Sequence, residues 1–197
     1  RAPAGVGTAR GCPYPSDATI FDVRQPDIHS FANPEVTRVR HLELDLAVSF
    51  SEKKLRGAAT LTLEPSGKVL ALDTRELTVQ RVNGSTSGFT LAAPVEHLGS
   101  KLEIELAPGT TSVMVEYETS PRASGRQWLE PAMTAGKRHP FLFSQSQAIH
   151  ARAWMPVQDS PGVRMTYSAR IHAPVPLKAL IDSVKARANL DIDQNQI

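Results

Sequence analysis

In "HLELDLAVSF", residues 41 to 50, Leu42, Leu44, Leu46, Val48 and Phe50 alternate with polar or small partners. A period of two puts every second side chain on one face of an extended chain, so the segment fits a strand with one face buried. The alternation returns at Leu55, Ala59, Leu61 and Leu63, at Leu102, Ile104 and Leu106, and at Val113, Val115 and Tyr117. It appears again at Val163, Met165, Tyr167, Ala169 and Ile171, with "KVLALD" and "LTVQRV" as shorter strands in between. The separators "EPSG", "VNGSTSG" and "APGTT" supply turn chemistry, since glycine enters positive φ at little steric cost. Many short strands joined by short polar turns predict a mainly β, antiparallel sandwich or saddle and argue against a βαβ fold.

The two ends read differently. Residues 1 to 35 hold Pro3, Pro13, Pro15, Pro26 and Pro34, which block any long regular element, and predict an irregular arm lying over a β domain at 36 to 174. Residues 175 to 197 predict a helical tail. In "PLKALIDSVKARANL", Leu177, Leu180, Ile181, Val184 and Ala188 recur at helical spacing, Pro176 suits a first helical position, and "DIDQNQI" beyond is polar and expected to fray. No repeat of fixed length is present. Arg1 stands in place of Met, and "RAPAGVGTARGCPYPSD" has no apolar h-region, which reads as a processed or truncated chain.

A chain of 197 residues can bury a core without a covalent staple. Its single Cys12 closes no internal disulfide, which leaves the compartment open between cytoplasm, periplasm and exterior. No run of about 18 uninterrupted apolar residues exists to form a membrane span. The 22 basic and 20 acidic residues leave a formal net charge of +2, which carries no signature of nucleic acid as a partner.

Catalytic signatures are sparse. None of His29, His41, His97, His139, His150 and His172 forms the four-residue helical pair that aims two imidazoles at one zinc ion, and no H-E-x-x-H occurs. No metal site is expected within the chain itself. "SQSQA" and "DSPG" lack the glycines of a nucleophile elbow, Asp191 and Asp193 lie in the polar tail, and Glu103 and Glu105 take the solvent side of a strand. What remains is "HPFLFSQSQAIHARAWMPVQDSP", residues 139 to 161. In an extended segment Gln145 and Gln147 face the same side. Their neutral amides offer donors and acceptors suited to a peptide's amino end or backbone; equally, they could satisfy backbone groups where strands diverge.

"FLFSQSQAIHARAWMPVQDSPGVRMTYSARI" closely resembles the signature near the end of the N-terminal β domain in the aminopeptidase N superfamily of zinc aminopeptidases. The nearest branch is that of aminopeptidase B and the leukotriene epoxide hydrolase, which "QWLEP", "TAGKRHPFLFSQ" and "DIHSFANPEVTRVRHLELDLAVSFSEKKLRGAATLTLE" also resemble. The resemblance runs from about residue 21 to 174. It implies a saddle-shaped, mostly antiparallel β-sandwich packed against a thermolysin-like zinc domain that follows in the chain. The expected fold is thus an antiparallel saddle-shaped β-sandwich with a short C-terminal helix.

The resemblance also implies roles. The position of Gln147, a glutamate in other branches, helps bind the substrate's free α-amine, Gln145 lines the pocket for the first side chain, and Ala148 forms part of its wall. Ser146, Trp154 and Gln158 serve as supports. The family's G-x-M-E-N loop, zinc helix, downstream zinc-binding glutamate and transition-state tyrosine would lie beyond residue 174, and none occurs in the sequence. After Pro174 the resemblance stops, which reads as a foreign end or a remnant of a deletion. Zinc belongs to the full-length family and no cofactor to this chain. The expected partners are the catalytic zinc domain and a peptide amino terminus. Without metal-activated water the hydrolytic step lacks its nucleophile and its Lewis acid, so the chain is expected to be inactive alone. The alternative is a stand-alone peptide- or protein-binding scaffold module.

Overall fold

A computed structural model describes residues 27–64, 67–83 and 85–180. Among the described residues, ten strands run in chain order: β1 Val39–Ser49, β2 Lys54–Leu63, β3 Val69–Thr74, β4 Leu77–Asn83, β5 Ser85–Leu91, β6 Ser100–Leu106, β7 Ser112–Thr119, β8 Arg126–Leu129, β9 Phe141–Ser144 and β10 Thr166–His172. They form a five-stranded sheet ordered β10-β1-β2-β7-β4, a three-stranded sheet β3-β6-β5 and a two-stranded ribbon β8-β9. The architecture is mainly β, as the alternation predicts.

The alternating leucines point where their period places them. Leu42, Leu44 and Leu46 of β1, Leu61 and Leu63 of β2, and Val113, Val115 and Tyr117 of β7 are all buried, and they share one cluster with Leu70 and Leu72 of β3 and Leu102 and Ile104 of β6. Both larger sheets therefore contribute to a single core. Each such side chain, fully buried, stabilises by about 1.5–3 kcal/mol relative to exposure. Gly57 of β2 lies opposite Leu46 of β1 and Tyr117 of β7. A Cβ there would stand 1.9 Å from the Asp45 carbonyl oxygen, so only glycine admits this close approach.

Two features depart from the sequence reading. The first is direction: β10 pairs parallel to β1, from His41 opposite Thr166 to Ala47 opposite His172, while the other ladders are antiparallel. Alternation reports which face is buried and says nothing of strand direction. A parallel neighbour cannot be reached by a hairpin. The chain instead leaves β7, makes the β8-β9 ribbon and crosses through residues 145 to 165 to the sheet edge. The second is β5, which begins inside the stretch read as a turn. Phe89 and Leu91 are 37% and 41% exposed, and the strand exists through its ladder with β6 rather than through a buried face.

Residues 177–180 are not helical, and the rest of the expected C-terminal helix lies outside the described residues, as do arm residues 1–26. Among the described residues no helix is long and apolar enough to cross a membrane.

Gln158 fastens the crossover to the core's entrance. Its side chain is 1% exposed, its Oε1 accepts from the Val39 amide at 3.0 Å, and its Nε2 donates to the Thr37 carbonyl at 2.8 Å. Gln158→Leu keeps the bulk and strands both backbone groups, each at a cost of about 1–3 kcal/mol. Urea unfolding should show a lower midpoint with an unchanged slope; a wild-type midpoint would contradict this role.

Candidate functional site

The stretch singled out in the sequence is the start of that crossover. Its first contact extends the ribbon: the Gln145 amide donates to the Gly125 carbonyl at 2.7 Å, one step beyond the Arg126–Ser144 pair. Gly125 has φ of +70°, and a Cβ on it would fall 2.6 Å from the Gln145 carbonyl oxygen and 2.7 Å from the His150 Cβ. Glycine thus lets ribbon and turn close on each other. The His150 amide then donates to the Ser146 carbonyl at 2.9 Å, enclosing Gln147, Ala148 and Ile149 in one turn, in which the Gln147–Ala148 peptide is cis.

Gln145, Gln147 and Ala148 are brought together on this turn, and all three are exposed, whereas Ser146 is half-buried. Exposure alternates through residues 145–147, with the glutamines exposed and the serine half-buried. Gln145 Oε1 makes a long contact with the Gln147 amide at 3.4 Å, and among the described residues neither glutamine side chain bonds the backbone of a diverging strand. Ser146 Oγ accepts from the Trp154 indole Nε1 at 3.1 Å, and the Trp154 carbonyl accepts from the Tyr117 hydroxyl at 2.9 Å. Tyr117 is 1% exposed in β7, and burial raises its phenol pKa. On the other flank, His150 Nδ1 and Ser124 Oγ lie 3.2 Å apart, and Arg75 Nη1 donates to the same hydroxyl at 3.4 Å.

Sequence reasoning missed the charges beneath the turn. Arg152 is fully buried, with Nε donating to Asp159 Oδ2 at 3.0 Å and Nη2 to the His29 and Asp159 carbonyls at 2.8 and 3.1 Å. Its Nη1 donates to the Leu98 carbonyl at 3.0 Å and lies 3.4 Å from Asp73 Oδ1. Asp73, also fully buried, accepts from the Ser30 hydroxyl, the Phe31 amide and the Asp159 amide. Burial raises the Asp159 carboxyl pKa above its ordinary value, and the Arg152 guanidinium pulls against that shift. The available signal was an aspartate closing the apolar run "VLALD" and an arginine set among alanines in "HARAW". Nearby, Arg126 donates to Thr119 Oγ1 and the Ser120 carbonyl at 2.6 and 2.8 Å, joining β8 to the end of β7; desolvation pushes its pKa down to about 10.

The glutamines stand on open surface. An apolar groove of about 480 Å³ is lined by Leu129, Met133, Phe141 and Leu177 with Arg138 and His139 at its side, and a polar depression of about 450 Å³ includes Glu43, Asp45 and Glu116. Neither takes in Gln145, Gln147 or Ala148. Among the described residues no group of three or more His, Cys, Asp or Glu could hold a metal ion. His41 instead meets the Thr166 and Ser168 hydroxyls at 2.8 and 3.1 Å, and His172 meets Asp45 at 2.8 Å.

The family model of the peptidase M1 N-terminal domain matches residues 38–196. That match runs past Pro174, where the resemblance read from the residues ended. Leukotriene A-4 hydrolase of Xenopus laevis is 40% identical over 169 residues, covering 81% of this chain and 28% of that protein. Leucine aminopeptidase 2 of Yarrowia lipolytica is 38% identical over 160 residues, covering 78% and 25% respectively. Among solved structures, yeast LTA4 hydrolase in complex with bestatin superposes with a TM-score of 0.71 at 34% identity, over 78% of this chain and 26% of that one. The chain thus spans only about a quarter of the length of these relatives. Fold and sequence agree, and the chain belongs to the peptidase M1 N-terminal domain family.

Proposed function

We propose that this chain supplies the amine-end wall of the substrate cleft in a zinc aminopeptidase that removes N-terminal amino acids from peptides, and that it has no hydrolytic activity alone. Enzymes of the M1 family use zinc, and the described residues offer that ion no ligand set. The observation that carries the reading is the exposed pair of amides, Gln145 and Gln147, on a turn fastened at both ends and lying outside the two grooves described above. A wall without a facing wall is what one half of a cleft presents.

The chemistry suits that role. The carbonyl oxygen of a glutamine amide accepts a hydrogen bond from a substrate ammonium, and its NH2 group can donate to a peptide carbonyl. Ala148, small and exposed beside them, leaves room for a first side chain. Phe141 and Phe143 share one face of β9 and are 52% and 51% exposed, a surface that fits burial against the catalytic zinc domain. The same patch would serve a free-standing peptide- or protein-binding module, which is the competing reading.

Incubation of the purified chain with aminoacyl anilides and zinc should release no aniline, while addition of a separately produced catalytic zinc domain of the family should restore turnover. Chelator-sensitive release by the chain alone would contradict the proposal. Peptide binding without any restored turnover would favour the free-standing module. In the reconstituted enzyme, Gln147→Ala should raise KM for free-amine substrates about 12- to 150-fold with kcat nearly unchanged, the loss expected for one hydrogen bond to a charged donor. An unchanged KM would remove Gln147 from the amine site.

A further inference from the structure

The glutamine pair is exposed, yet a line of hydrogen bonds connects it to the core. We propose that Tyr117, Trp154 and Ser146 form a positioning relay that aims Gln145 and Gln147 outward; the inference rests on the reading that this pair meets the peptide's amino end. The relay starts at Tyr117, whose ring is locked in the core cluster and whose hydroxyl donates to the Trp154 carbonyl at 2.9 Å. That bond sets the backbone of Trp154, whose indole packs against the same cluster and donates from Nε1 to Ser146 Oγ at 3.1 Å. Ser146 is the residue between the two glutamines.

The exposure pattern matches this: Ser146 is half-buried, and the glutamines on either side of it are exposed. The backbone is held as well, by the Gln145 amide on Gly125 and by the His150 amide on the Ser146 carbonyl. The indole bond adds a restraint on the side chain, fixing which way the serine faces. The relay touches no substrate; it acts through the glutamines by restricting the orientations they sample before binding.

The test uses the 197-residue chain and three variants, Ser146→Ala, Trp154→Phe and the conservative Ser146→Thr, which keeps an oxygen acceptor. The half-buried Ser146 makes Ser146→Ala safe for folding, and Trp154→Phe removes the N–H while keeping an aromatic ring. The side-chain amide signals of Gln145 and Gln147, followed by ¹⁵N NMR, should shift toward mobile, solvent-averaged positions in Ser146→Ala and Trp154→Phe and stay near wild type in Ser146→Thr. Unmoved glutamine signals in Ser146→Ala would overturn the relay. In the reconstituted enzyme the same two variants should raise KM about 2- to 12-fold with kcat held, an effect the size of one neutral hydrogen bond. Shifted amide signals with an unchanged KM would leave the relay standing and defeat the amine contact instead.

Discussion

The buried guanidinium of Arg152 is where distant pieces of this chain meet. It reaches the His29 carbonyl from the N-terminal arm, the Leu98 carbonyl from the loop before β6, and Asp73 and Asp159 from β3 and the crossover. Taking such a charge out of water is costly, and a buried ion pair is weak evidence of net stability. What it provides is geometry. A planar fork of five donors satisfies several acceptors only in one arrangement, and a point charge such as lysine's ammonium cannot reproduce it. Asp73 completes the arrangement by taking the Ser30 hydroxyl and the Phe31 and Asp159 amides.

The need for that fixture follows from topology. Because β10 must arrive parallel to β1, the chain has to travel across the end of the sandwich without a hairpin. A crossover of that kind carries backbone groups that β1 and β10 cannot pair. Val157 bonds Asp73 main chain to main chain at 2.8 and 3.2 Å, Gln158 takes the entrance of β1, and Arg152 gives its own carbonyl to the Arg75 amide at 2.8 Å. The glutamine turn sits at the head of this tied segment. Its exposure is a consequence of where the crossover begins, and its order is a consequence of what lies beneath it.

Much of this was legible in the residues, for particular reasons. The leucines of β1, β2 and β6 alternate because one face of each strand meets the core, and a period of two is readable without coordinates. β5 gave no such signal, since its partly exposed Phe89 and Leu91 are held by a ladder and not by burial. The parallel direction of β10 was invisible for the same reason that its burial was visible: alternation is unchanged when a strand is reversed. Spacing predicts one side for Gln145 and Gln147, and both are exposed. Arg152 was not legible, because arginine is ordinarily a surface residue and only its neighbours' folding makes it an interior one.

The central claim is that the Arg152 cluster holds the crossover, and with it the glutamine turn, on an independently stable sandwich. Hydrogen exchange of Arg152→Lys, compared with wild type peptide by peptide, tests it most directly. The account predicts faster exchange confined to residues 27–33 and 145–160, with the amides of β1, β2 and β7 at wild-type rates. Wild-type protection at 145–160, or an equal loss across every strand, would contradict it.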